Sequence, residues 1–160
     1  MTSYQGFFVM GKKGIMANGD DRIRDFCLLG SAEKSMKEEL LEEELRTMLF
    51  KAGIYPKLKG YDYLMAALRI SISNPFVVKN VSNLLYPVVA DYFSTTIGSV
   101  ERGIRHALEV SCRRNKLANI NSVLGTEIFS SDDRPTNAEF ISLIALKLSS
   151  LYKNRLKYEY

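Results

Sequence analysis

The stretch TTIGSVERGIRHALEVSCRR, Thr95 to Arg114, decides how the chain is read. Val100, Ile104, Ala107, Leu108 and Ser111 are small or apolar and recur three or four residues apart, while Glu101, Arg102, Arg105, His106 and Glu109 fall on the opposite side. This pattern predicts a helix from Ile97 to Arg114, buried on one face and offering hydrogen-bonding groups on the other. A guanidinium fits guanine O6 and N7 in two places, and a carboxylate accepts from cytosine N4. The outward face therefore has the chemistry to read a DNA major groove. Its plainer reading is a solvated surface helix.

The residues just before it favour the first reading. Pro87 to Phe93 predicts a short helix, because proline suits a first helical turn, and Ser94-Thr95-Thr96 supplies N-cap residues for the longer helix. A short helix, a tight turn and a longer helix form a helix-turn-helix at about 87–114. In that geometry the first half of the second helix enters the groove, which selects Glu101, Arg102, Arg105 and His106 as base-facing candidates. Arg113, Arg114 and Lys116 at its end are candidates for phosphates.

Further outward, the signals are almost all helical. Ser35-Met36-Lys37-Glu38 fits a capping box; Leu40, Leu41, Leu45, Met48, Leu49 and Ala52 then repeat at helical spacing until Gly53 stops the helix. Glu38, Glu39, Glu42, Glu43 and Glu44 are expected on the solvent side. Gly60 opens a second helix with Tyr61, Leu64, Leu68 and Ile72 as its buried stripe. Asn74-Pro75 reads as an N-cap and first turn for a third helix over Phe76 to Leu85. Leu117 to Leu124 is a short helix ending at Gly125, followed by a loop from Thr126 to Arg134 with an extended piece at Glu127 to Phe129. Thr136-Asn137-Ala138-Glu139 is a second capping box. It opens a last helix with Phe140, Ile144, Leu148 and Leu151 on one face. Residues 1–34 read as an N-terminal arm, either loosely ordered or a small hairpin turned at Asn18-Gly19.

Composition bounds the function. The 160 residues carry a net charge of +4 with 46% hydrophobic and 25% charged residues, an ordinary balance for a globular chain with a mild basic bias. Cys27 and Cys112 lie far apart and His106 is the only histidine, so neither a disulfide framework nor a metal site is expected. No paired carboxylates, nucleophile–base spacing or phosphate loop suggests an enzyme or a cofactor. No apolar run reaches the length of a membrane span or of a signal peptide, and the expected location is cytoplasmic.

Four ordered blocks carry a resemblance: LKGYDYL at Leu58 to Leu64, LYP at Leu85 to Pro87, TTIGSVERGIRHALEV at Thr95 to Val110, and RPTNAEFI at Arg134 to Ile141. From about Leu45 to Tyr152 the chain resembles the C-terminal effector domain of the stage zero sporulation protein A family, the sporulation master response regulators. The resemblance implies an all-α, six-helix bundle-like domain over 35–160 with a central helix-turn-helix. It implies a transcription regulator that binds double-stranded DNA upstream of sporulation and stationary-phase genes. The family's base-reading positions match Glu101, Arg102, Arg105 and His106, which leaves Glu109 as a bystander. Phosphate contacts are implied at the turn and helix start, Thr95, Thr96 and Ser99, and around the last capping box, Arg134, Thr136 and Asn137. The region Leu117 to Phe129 resembles the part the family turns toward RNA polymerase sigma factor.

The chain departs from the family pattern in two places. Family members commonly carry a small residue, a serine and a basic residue before VER, where this chain has Ile97, Gly98 and Ser99; the change removes a candidate phosphate contact and loosens the helix start. Only some 35 to 40 residues precede the effector region, so no phospho-acceptor receiver domain is expected there. A homodimer on DNA, with a self-associating arm replacing receiver-driven pairing, follows from that. The alternative reading is a receiver-less interaction module that binds a protein partner or modulates a full-length regulator, motivated by the acidic stretch Glu38 to Glu44.

Overall fold

The computed structural model describes the backbone of residues 32–157 and the side chains of residues 36–153. The expected Asn18-Gly19 hairpin and Cys27 lie outside the described residues. Within them the chain forms six α-helices and no strand. These are α1 (Ala32–Lys51), α2 (Lys59–Ser73), α3 (Tyr86–Tyr92), α4 (Ile97–Arg113), α5 (Asn121–Leu124) and α6 (Asn137–Lys157). The all-α expectation is met.

Helix α2 is the axis of the bundle. Nearly every residue from Tyr61 to Ile72 is buried, including Leu64, Met65, Leu68 and Ile70, as expected of a helix surrounded by others. Helices α4 and α6 pack most extensively on it. The crossing with α4 is very close: a Cβ built on Gly60 would lie 1.9 Å from the carbonyl oxygen of Gly103. Glycine at both positions lets the two backbones touch, and this contact fixes where α4 sits.

Helix α1 differs from its sequence reading in three ways. It begins at Ala32, so the box expected at Ser35 to Glu38 falls inside the helix; Ala32, Glu33 and Lys34 are good helix formers and extend it upstream. Leu40 belongs to the outer surface, 61% exposed, while Leu41, Leu45, Met48, Leu49 and Ala52 are buried as expected. Glu42 is buried rather than solvated. Its carboxylate accepts from buried Arg69 of α2 at 2.9 Å and also pairs with Arg46 one turn along. Gly53, at φ +74, ends the helix in the left-handed conformation that glycine adopts without strain.

The helix expected over Phe76 to Leu85 is instead a 3-10 turn, Pro75–Asn80, followed by a π turn, Val81–Leu85. Asn80 causes the break. Its backbone is extended at φ −150 and its side chain accepts from Asn83 N at 3.2 Å, a local bond that competes with the regular helical ladder. Leu117–Ile120 is likewise a 3-10 turn before α5. The piece expected as extended, Glu127 to Phe129, makes no strand. The side chain of Asn121 acts as its partner, accepting from Ile128 N and Phe129 N at 2.9 and 3.1 Å and donating to Phe129 O at 2.6 Å. Helix α6 begins where expected. Thr136 Oγ1 accepts from Glu139 N at 3.2 Å, and the Glu139 carboxylate accepts from Thr136 N at 2.8 Å, a complete capping box. Its buried face carries Phe140, Ile144 and Leu148, with Leu151 half-buried beside them.

Candidate nucleic-acid interface

Helices α3 and α4, with Phe93 to Thr96 between them, form the helix-turn-helix. The turn closes through Ser94 N to Asp91 O at 3.0 Å and Thr95 N to Ala90 O at 2.8 Å, with Ser94 in the left-handed region at φ 52. Phe93 clamps it from inside, its ring 5.1 Å from Tyr63 of α2 and 4.9 Å from Tyr92. Thr96 caps α4 by accepting from Ser99 N at 3.1 Å, and its hydroxyl also meets that of Ser99 at 2.9 Å. Both hydroxyls serve the helix start while remaining at the surface.

Val100, Ile104, Ala107, Leu108, Ser111 and Cys112 form the buried side of α4. A Cβ on Gly103 would come within 2.9 Å of the Tyr63 ring, so that turn can face only one way. The opposite side presents Arg102, Arg105, His106 and Glu109 to solvent, with Glu101 half-exposed. Arg105 and Glu101, four residues apart, form an ion pair on the helix surface. The Arg102 guanidinium folds toward the helix start, where a side chain on Gly98 would come within 3.3 Å of it.

Beyond Thr95, Thr96 and Ser99 at the start of α4, the expected phosphate-facing residues divide into two groups. Arg113, Arg134, Thr136 and Asn137 line one cleft of about 590 Å³ with Glu101, Arg105 and Tyr86, between α4 and the start of α6. Arg114 and Lys116 lie elsewhere, against the α1–α2 turn: Arg114 Nη1 donates to Gly53 O at 3.4 Å and its guanidinium stands 5.8 Å from the Tyr55 ring centre. Arg113 and Arg114 are neighbours at the end of α4 but face different sides of it, one toward the cleft and the other toward Gly53 and Tyr55.

Asn137 departs from its expected neighbours. Arg134 and Thr136 are exposed, but Asn137 is buried, and its Nδ2 donates to the backbone oxygen of Glu101 at 3.0 Å. The Tyr86 hydroxyl lies beside the same amide; burial pushes this phenol above its ordinary value, and the Asn137 amide partly counters the shift. Sequence reasoning missed Tyr86. The only available signal was its place inside the LYP block. Cys112 closes the back of the cleft, its Sγ 3.7 Å from Asp133 O, and burial pushes the thiol up, partly countered by Arg134.

The family model described as sporulation initiation factor Spo0A C terminal matches residues 45–148. The chain belongs to this family. The match runs from the middle of α1 into α6 and contains every candidate contact residue from Thr95 to Asn137. Spo0A C-terminal domains are DNA-binding effector domains of transcription regulators, not an enzyme family. Among the described residues no helix is long and apolar enough to cross a membrane.

Proposed function

We propose that the protein is a sequence-specific regulator of sporulation or stationary-phase genes, with α4 lying in the major groove. One observation carries the reading: Glu101, Arg102, Arg105 and His106 share the outward side of a capped helix whose inward side is locked to α2. Arg102 and Arg105 reach guanine O6 and N7, Glu101 accepts from cytosine N4, and His106 meets a neighbouring base edge. The Glu101–Arg105 ion pair holds both side chains in a shared orientation before contact. Thr95, Thr96 and Ser99 at the start of α4, and Arg113, Arg134 and Thr136 around the cleft, hold phosphates on the two sides of the groove, helped by the free backbone N–H groups of the helix starts. Arg114 and Lys116 meet phosphates only where the duplex runs on past the far end of α4. The surface from Leu117 to Phe129 faces RNA polymerase sigma factor, and two copies pair on adjacent half-sites.

Selection of bound duplexes from random DNA tests the reading, followed by titration of the enriched duplex and a scrambled one at several salt concentrations. An enriched motif with a preference of at least about a thousandfold over scrambled DNA is the expected result. Enrichment of no motif would sink it.

A second reading, an interaction module, is favoured by the outer face of α1. Met36, Leu40 and Phe50 are 67%, 61% and 66% exposed on one side of the helix, with exposed Glu43 and Thr47 between Leu40 and Phe50. Deleting residues 1–31 separates the two readings. DNA binding that appears only after deletion identifies the arm as a mask, whereas unchanged binding favours a regulator whose arm does other work.

A further inference from the structure

The amide of Asn137 ties together three elements of the interface. It is the first residue of α6, with only 9% of its surface exposed. Its Nδ2 reaches the Glu101 carbonyl in the first turns of α4 at 3.0 Å, using the lone pair left over by the helical bond. Tyr86, the first residue of α3, places its buried hydroxyl against the same group. Helices α4 and α6 each pack chiefly on α2, so this amide is a direct tie between them beside the cleft. Exposed Thr136 and Arg134 are free of this arrangement and engage the capping box and the Ser131 and Asp133 carbonyls instead.

We propose that Asn137 is a positioning residue for base recognition, not a phosphate ligand: it sets the distance between the phosphate-facing start of α6 and the base-reading face of α4. The inference rests on the reading of α4 given above. In a duplex the phosphates and the base edges stand in a fixed relation, and hydrogen bonds to base edges tolerate only a few tenths of an ångström. A protein that grips phosphates with one helix start and bases with another must hold the two starts in matching register. A side-chain hydrogen bond between them does this at the contact surface itself, adding a tie between the two helix starts to the packing of each helix on α2.

The test uses the full chain with Asn137→Ser, Asn137→Ala and, as comparator, Arg134→Ala. Serine is too short to reach Glu101 O but is well tolerated in a first helical turn, and the melting temperature of each variant shows that it is folded before titration. Each is titrated against the enriched and the scrambled duplex over a range of salt. Loss of one hydrogen bond lowers preference for the enriched duplex by roughly two- to tenfold, with affinity for scrambled DNA and the salt slope unchanged. Arg134→Ala weakens both duplexes alike and lowers the slope by about 0.9. If the Asn137 variants behave like Arg134→Ala, the residue is a phosphate ligand and the inference is overturned. Retention of full preference by Asn137→Ser overturns it as well, leaving the reading of α4 intact. A parent chain without preference overturns that reading, and this inference with it.

Discussion

Two glutamate–arginine pairs in this protein share their chemistry and have opposite surroundings. Glu42 and Arg69 join α1 to α2 with side chains 12% and 4% exposed, whereas Glu101 and Arg105 lie along α4 with side chains 42% and 56% exposed. A buried pair is held by the scarcity of water: Glu42 is compensated by Arg69 across the interface and by Arg46 on its own helix rather than by hydration. A surface pair contributes little to stability, since water screens it and the side chains must be ordered to form it. The first pair can therefore only be structural, and the second is available to exchange its partner for a base edge. The helix around each pair follows the same division. Around Glu42, α1 turns one charge inward and Met36, Leu40 and Phe50 outward, while α4 after the exposed Ile97 keeps its charged residues off the buried side.

The contrast can be broken most sharply at the buried pair. Arg69→Ala leaves the Glu42 carboxylate only its same-helix partner Arg46, and denaturant unfolding should show a loss of up to about 3 kcal/mol, less than for a buried charge left wholly unpaired. Replacing both residues by apolar ones of similar size, Glu42→Leu with Arg69→Met, should recover most of it; no recovery would mean the pair does more than neutralise itself. Next in size is Gly60→Ala. The added methyl meets the Gly103 carbonyl, and overpacking of this kind destabilises by roughly 1–3 kcal/mol. DNA preference should fall as well, because the helix that must move is α4. Arg105→Ala isolates the surface pair: its melting temperature should barely change, whereas discrimination at one base position should fall by roughly 1–3 kcal/mol. A large stability loss there would refute the division between the pairs.

The smallest effect is at the α6 capping box. Bonds from the Thr136 backbone and hydroxyl lower the pKa of the exposed Glu139 carboxyl below its ordinary 4.5. A carboxyl lowered in the folded state stabilises it above the ordinary value and loses that contribution as pH falls through the folded value. Glu139→Gln should therefore melt slightly earlier than the parent at pH 7, with the difference closing below pH 4.5. A difference that persists undiminished in acid would assign it to side-chain shape rather than charge.

Much of this could be read directly from residues. Thr96 and Thr136 cap α4 and α6, Gly53 stops α1, and the inward stripe of α4 lies where its spacing puts it. These features depend on neighbours within four residues, which is the range over which a helix senses its own sequence. The longer reach was opaque for definite reasons. Leu40 and Leu41 are equivalent by hydrophobicity, and of the two only Leu41 stands four residues before Leu45 and seven before Met48, on the side that meets the core. Glu42 looks like its four acidic neighbours until Arg69 arrives from another helix. Phe76 to Leu85 has helical composition, but Asn80 bonds its own backbone and splits the run.

The sequence by itself therefore determined the helical class, the cap and polarity of α4, the family and the four outward candidates, because all of these rest on local periodicity and ordered motifs. Only the tertiary structure decided which charges are partners, that α2 and α4 touch at Gly60 and Gly103, that Arg114 stands apart from Arg113, and that Asn137 faces Glu101 instead of solvent. Each of those depends on the close approach of segments distant along the chain, where burial removes water and leaves each polar group to find its partner across the fold.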